Sequence, residues 1–316
     1  MRRPRLGAAL IAVTLAACVD SQAPENSPST ASPTSKPSLP VIPSMRVTAN
    51  AANGYTITLR FINTPTTAQR AFFETAAARW EAIIIGDVPN TTGTIPARSC
   101  GNSFRTPSFK GEVDDILIDV LLQPIDGPGN ILGAAGPCLA RSEDLLTLYG
   151  IMFFDSADLD FLAQFGIFDE VVVHEMGHVL GFGTLWNFGR SLLQGANTQD
   201  PRFVGPQAIA GYLEVGGRGI SIPVEEDFGP GTRLSHWDEE TFDKELMTGF
   251  IGTKGSPLSV MTIGSVGDLG YQVSAASADR YQVSGRQERT AGDPAEADPI
   301  DLAGREKLIT PLGVVE

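Results

Sequence analysis

Between Tyr55 and Phe61 the apolar residues Ile57, Leu59 and Phe61 alternate with Thr56, Thr58 and Arg60, the period of a half-buried strand. A turn at 63–65 follows. From Thr67 to Ile85 the spacing changes: Ala68, Phe72, Ala76, Trp80, Ile83 and Ile84 keep helical positions, and Gly86 closes the run. Ile116, Ile118 and Val120 mark a second strand through Leu122, and Gly150 to Phe154 a third. The stretch between them carries Gly127, Pro128, Gly129, Gly133 and Pro137 around Leu132 and reads as loop-rich. Val171, Val172, Val179 and Leu180 give a further helix its buried flank, and Gly181 is the residue that most easily leaves it in a left-handed turn. Residues 183–234 are rich in Gly and Pro with scattered apolar positions, and Pro257 to Leu269 is the last predicted helix, ending at Gly270 and Tyr271. No internal repeat is present. The pattern predicts one α+β domain over 46–274.

The flanks lack such periods. Arg2, Arg3 and Arg5 precede an apolar run, Leu6 to Ala17, too short to span a bilayer comfortably, so residues 1–17 read as an export signal. Its end, Leu15-Ala16-Ala17-Cys18, resembles a bacterial lipobox, which would make Cys18 the lipidated first residue and place the chain at the cell envelope or surface; the alternative is a plain cleavable signal. Residues 18–45, dominated by Pro, Ser, Thr, Ala and Asn, cannot bury a core and read as a tether. Residues 275–316 turn polar again and read as a weakly ordered tail, in which Ile309 to Val315 is a candidate for docking.

The formal charge of −14 repels phosphate backbones and anionic lipid heads, which excludes nucleic acid as an electrostatic partner and leaves the lipid at Cys18 as the membrane contact. Cys100 and Cys138 are then an even pair in an oxidising setting. A disulfide between them would close about forty residues and stabilise by about 3–4 kcal/mol on the chain-entropy model; two separate buried thiols are the alternative.

The chemistry concentrates in His174-Glu175-Met176-Gly177-His178. Positions four apart lie one turn above each other, so His174 and His178 can aim two imidazoles at one point, with Glu175 about 100° further round the axis. That places Glu175 to act as general base on something the metal holds, without ligating it. The bland reading, an ordinary helix face, must also leave the third histidine, His236, unexplained. A catalytic zinc takes three protein ligands and keeps an open position, which would use every histidine of the chain. Asp155, Asp158 and Asp160 could bind calcium through several oxygens, but they lack the glycine turn and terminal glutamate of a dedicated loop; capping of a short helix is the preferred reading.

His174 to Gly181 resembles the opening of the metzincin zinc-protease signature, H-E-x-x-H-x-x-G, although Thr184 stands where the third histidine of that signature would fall. His236-Trp237, followed by Glu245-Leu246-Met247-Thr248, is similar to the His-Trp and Met-turn segment of leishmanolysin-like metzincins, which carry a long insertion there. The resemblance implies a zinc endopeptidase acting on proteins or peptides, with His174, His178 and His236 as metal ligands, Glu175 as catalytic base and Met247 in a structural turn beneath the metal. It implies a zincin architecture: an upper subdomain of twisted mixed sheet with helices, and a loop-rich lower subdomain with the Met-turn and a C-terminal helix. No tyrosine lies two residues after Met247, and no cysteine between Cys18 and Cys100, so neither a tyrosine ligand nor a cysteine-type latency switch has a counterpart at those places. Two rivals remain: Glu214 or Glu225 as third ligand in a thermolysin-type site, and a non-catalytic binding lipoprotein with a relic zinc site.

Overall fold

In the computed structural model the described residues are 45–47, 54–229, 231–252, 255–283, 300–302 and 305–315, and all of them fall within the unit spanning Ser35 to Glu316. The export signal and almost all of the tether lie outside them. Among the described residues no helix is long and apolar enough to cross a membrane.

In chain order the first elements are β1 (Met45–Val47), β2 (Ile57–Phe61), α1 (Thr67–Ile83), β3 (Thr91–Ile95), β4 (Phe109–Val113), β5 (Ile116–Gln123), β6 (Gly133–Arg141), β7 (Thr147–Asp155), α2 (Leu159–Gln164) and α3 (Phe168–Leu180). β5 is apolar along almost its whole length because both of its faces are covered. Ile116, Ile118 and Val120 face a core shared with Phe73 and Trp80 of α1 and with Val172, Met176 and Val179 of α3. Leu117 and Leu121 face a second cluster with Ile95, Val113 and the Cys100–Cys138 disulfide. That bridge ties β6 to the layer around β3 and β4. Its loop of 38 residues corresponds to about 4 kcal/mol of chain entropy.

The sheet is mixed, with order β2-β5-β7-β6: β2, β5 and β7 run parallel and β6 runs antiparallel to β7. β6 is a correction to the loop expected around Gly133 and Pro137. Its sequence, GAAGPCLAR, has no alternating apolar signal, yet every residue is buried. Pro137 has no N–H to give, and the ladder with β7 is irregular between Pro137 and Leu139, a bulge of the kind at which a strand accommodates proline. In α1 the expected positions Ala76, Trp80, Ile83 and Ile84 are buried, but the first turns differ: Phe73 is fully buried, Phe72 half-buried and Ala68 exposed. Thr66 and Gln69 close a reciprocal capping box at its start, and the helix leaves at Ile84, ahead of Gly86.

After α3 come β8 (Leu193–Gln194), β9 (Arg202–Phe203), α4 (Pro206–Glu214), β10 (Ile222–Pro223), α5 (Glu239–Phe242), β11 (Phe250–Ile251) and α6 (Val260–Asp268). α4 packs on α6 with glycines at the contact: a Cβ on Gly264 would fall 2.6 Å from the Gln207 backbone. Phe182, Trp186, Phe203 and Trp237 form an aromatic cluster at the foot of α3, with ring centroids 4.7–5.5 Å apart.

Of the stretch from residue 275 that the composition reads as a weakly ordered tail, residues 275–283, 300–302 and 305–315 are described. Residues 275–283 include a short 3-10 turn (Ala275–Ser277) and buried Tyr281. Further on, β12 (Ile300–Asp301) pairs with β11, and β13 (Glu306–Leu308) and β14 (Gly313–Val315) lie parallel along β6. The composition is polar, but Leu302 and Val315 are buried and backbone pairing supplies the rest.

Candidate metal centre

α3 is buried on nearly every side, so its register is fixed by packing. Gly177 lies where the helix meets other chain: a Cβ there would come within 3.1 Å of Trp80 Cζ2 and 3.2 Å of Met247 Sδ. The Trp80 indole N–H donates to Val173 O at 2.9 Å. Gly181 ends the helix at φ 116°, the left-handed turn expected of it. Gly183 follows at φ 71°, pressed against the Ser235 carbonyl, and so brings the segment bearing His236 back to the helix.

The three imidazoles meet. His174 Nε2 is 3.0 Å from His178 Nε2 and 3.1 Å from His236 Nε2, and the last two are 3.0 Å apart. Each ring is steered from behind by a carbonyl: His174 Nδ1–H donates to Leu246 O (2.7 Å), His178 Nδ1–H to Phe182 O (2.9 Å) and His236 Nδ1–H to Thr232 O (3.1 Å). A carbonyl offers only lone pairs, so Nδ1 carries a proton and Nε2 is the atom each ring turns toward the shared point. Burial, then the two neighbouring imidazoles, push the His178 pKa well below its ordinary value, which keeps that ring in the unprotonated form a metal requires.

A fourth group stands at the same point. Glu306, on β13, places Oε1 3.0 Å from His236 Nε2 and Oε2 3.4 Å from His174 Nε2, fully out of solvent and with no hydrogen-bond donor on either oxygen. The four ligand atoms lie within 4.8 Å of one another. Three lone pairs and a carboxylate so arranged repel one another; a cation between them reverses the sign of every contact. Nitrogens on a tetrahedral zinc stand about 3.3 Å apart, close to the spacing here, so the donor set fits that ion. Nothing in the sequence marked Glu306, since an acid in a polar stretch has no period; the one clue was the apolar run just after it.

Glu175 is buried beside this cluster with Oε2 unpartnered. Burial, and then the charge of Glu306, raise its pKa well above the ordinary carboxylate value. Met247 is buried against Gly177, and its carbonyl accepts the Trp237 N–H at 2.9 Å. The turn that holds Met247 is organised by Glu245, a buried carboxylate accepting from Met247 N–H (2.6 Å), Ser259 N–H (3.0 Å), Ser259 Oγ–H (2.6 Å) and Thr262 Oγ–H (2.5 Å).

The rival ligands lie elsewhere. Glu214 is exposed on α4, and Glu225 spends its carboxylate on the N–H groups of Glu226, Asp227 and Glu239. Asp238 caps α5 through Thr241 N–H. Asp155 accepts four backbone N–H groups, from Ile125, Asp126, Gly127 and Ala157, and Asp158 accepts one from Gly129, so these acids fasten a loop. Against the opposing effect of burial, those donors hold Asp155 below the usual carboxylate range.

The family model for leishmanolysin, peptidase M8, matches residues 91–284. The chain belongs to the leishmanolysin family. Its members are zinc-dependent metalloproteases, hydrolases whose substrates are proteins or peptides, and the mixed sheet with flanking helices is consistent with a metzincin-like fold. No curated protein matches the chain. The leishmanolysin match contains α3, His236 and Met247 and stops short of Glu306.

Proposed function

We propose that the chain is a zinc-dependent endopeptidase in which His174, His178 and His236 hold the metal and Glu175 moves protons. The observation that carries this reading is the convergence of three Nε2 atoms, with each Nδ1–H tied to a carbonyl behind it. Zinc held there would supply Lewis acidity, polarising the scissile carbonyl and lowering the pKa of water toward about 7.

The chain's own residues do the remainder. Glu175, buried and with a free oxygen, accepts the proton of the attacking water and returns it to the leaving amine. The carbonyls of Leu246, Phe182 and Thr232 keep the rings from rotating, so the ligand set is in place before substrate arrives. Met247 supports the rings from below through its contact with Gly177. We also read the chain as exported and lipid-anchored at Cys18. This is supported by Arg2, Arg3, Arg5, the run to Ala17 and the Leu15–Cys18 motif.

The test compares metal content with hydrolysis of a random peptide library. Glu175→Gln should retain zinc and lose about 10²–10⁴ in rate, the range assigned to a positioned general base. His236→Ala should lose the metal. Wild-type hydrolysis by Glu175→Gln would refute the assigned base, and wild-type zinc content in His236→Ala would refute the ligand set.

A further inference from the structure

Among the described residues, the end of the chain runs directly across the metal centre. β12 pairs antiparallel with β11, just beyond the Met-turn, and buried Leu302 donates its N–H to Gly249 O at 2.9 Å. The chain then delivers Glu306 to the three imidazoles and continues along β6. There Glu306–Leu308 is in register with Gly133–Ala135, and Gly313–Val315 with Leu139–Arg141. Between the two strands Ile309 N–H donates to Ala135 O (2.8 Å) and Leu312 N–H to Cys138 O (2.9 Å). Gly136, at φ 149°, makes room for this segment: a Cβ on it would fall 2.1 Å from Ile309 O.

We propose that the segment Arg305–Val315 is a built-in inhibitor, seating Glu306 as a fourth protein ligand of the metal while covering the backbone edge of β6. The proposal rests on the metalloprotease reading above. Three considerations support it. A zinc site with four protein donors is closed, whereas a hydrolytic one keeps a position for water and substrate. An uncovered strand edge is a template on which an extended peptide can add as another strand, and β13 and β14 already occupy that edge. The group presented to the metal is a side-chain carboxylate, which offers no bond for hydrolysis, so the segment blocks the centre without being consumed. Glu306 also lies outside the residues matched by the family model, which makes this closure an addition to the part of the chain that carries the family pattern.

A seated plug lowers the apparent affinity for any competing ligand by the fraction of molecules in which it is open; with about 1% open, the loss is about 100-fold. The experiment uses the full chain with saturating zinc, and as probe a short peptide hydroxamate, whose affinity is read by calorimetry. Two variants loosen the plug differently. Glu306→Ala removes the ligand, and Ile309→Pro removes the N–H that bonds Ala135 while keeping Glu306. Both should bind the hydroxamate at least 10-fold tighter than wild type while retaining zinc. In wild type, saturating hydroxamate should speed amide exchange at Lys307, Leu308, Val314 and Val315. Equal affinity in all three proteins, with unchanged exchange in the tail, would overturn the plug and leave the metalloprotease reading standing. Failure of all three to hold zinc would overturn both.

Discussion

His174 and His178 stand one turn apart on a helix packed on nearly all sides, whereas His236 lies on a connection between β10 and α5 with no regular structure of its own. The first pair is placed by apolar burial: Val172, Met176 and Val179 fix the rotation of α3 against the sheet. The other half is placed by buried carboxylates gripping backbone N–H groups, Glu225 on one side of His236 and Glu245 on the other. Helical periodicity therefore serves one half of the centre and a polar network the other. The network is the more vulnerable, because an unanswered buried donor costs more than a trimmed methyl group.

The largest expected effect comes from cutting that network. Glu245→Ala strips the acceptor from four donors and should destabilise the fold by about 3–5 kcal/mol, read from denaturant unfolding. It should also weaken zinc affinity by about 10–100-fold, because Leu246 O, which orients His174, sits in the same turn. Unchanged zinc affinity would show that the turn is merely adjacent to the centre.

A paired glycine experiment sharpens the contrast. In Gly183→Ala the new methyl would meet the Ser235 backbone at 2.1 Å at a left-handed position, pushing the His236 segment away, at a cost of about 2–3 kcal/mol and with weaker zinc binding. In Gly177→Ala, on the helix between His174 and His178, the closest atoms are Trp80 Cζ2 at 3.1 Å and the flexible end of Met247 at 3.2 Å. Alanine also favours the helix by about 1 kcal/mol over glycine, so the net change should stay within about 1 kcal/mol. Equal effects of the two substitutions would erase the distinction between the halves.

The smallest effect concerns a similar carboxylate away from the centre. Asp115 accepts N–H groups from Thr56 (2.7 Å) and Val88 (2.6 Å), and burial, outweighing those bonds, lifts its pKa from 3.8 to about 6. The folded state therefore holds this proton longer than the unfolded chain does. The stabilisation is fully present below pH 3.8 and is lost as pH rises through about 6. Asp115→Asn should flatten that part of the stability-versus-pH curve, measured as the thermal midpoint between pH 3.5 and about 7, while zinc content stays at the wild-type level. A slope identical to wild type would show that Asp115 does not titrate there.

Legibility in the sequence follows the same division. The spacing of His174, Glu175 and His178, the stop at Gly181 and the apolar runs of β5 and β7 report local periods, and the structure has helix and strands at those places. β6 carried no such report, because its small residues show no alternation and its glycines, Gly133 and Gly136, lie against neighbouring backbone. α4 was hidden by the glycine and proline around it, although Pro206 sits in its first turn, where proline is tolerated. Glu306 is specified by partners hundreds of ångströms of extended chain away in principle and by direct contact in the fold, and a single acidic residue records none of that.

Because the chain owns only three histidines and all of them face one another, imidazole spectroscopy of this molecule is free of background. Isotope labelling of that single residue type would illuminate one spot and leave the rest of the protein dark. Every resonance gained, lost or moved on adding an ion or a peptide would then belong to the same few cubic ångströms.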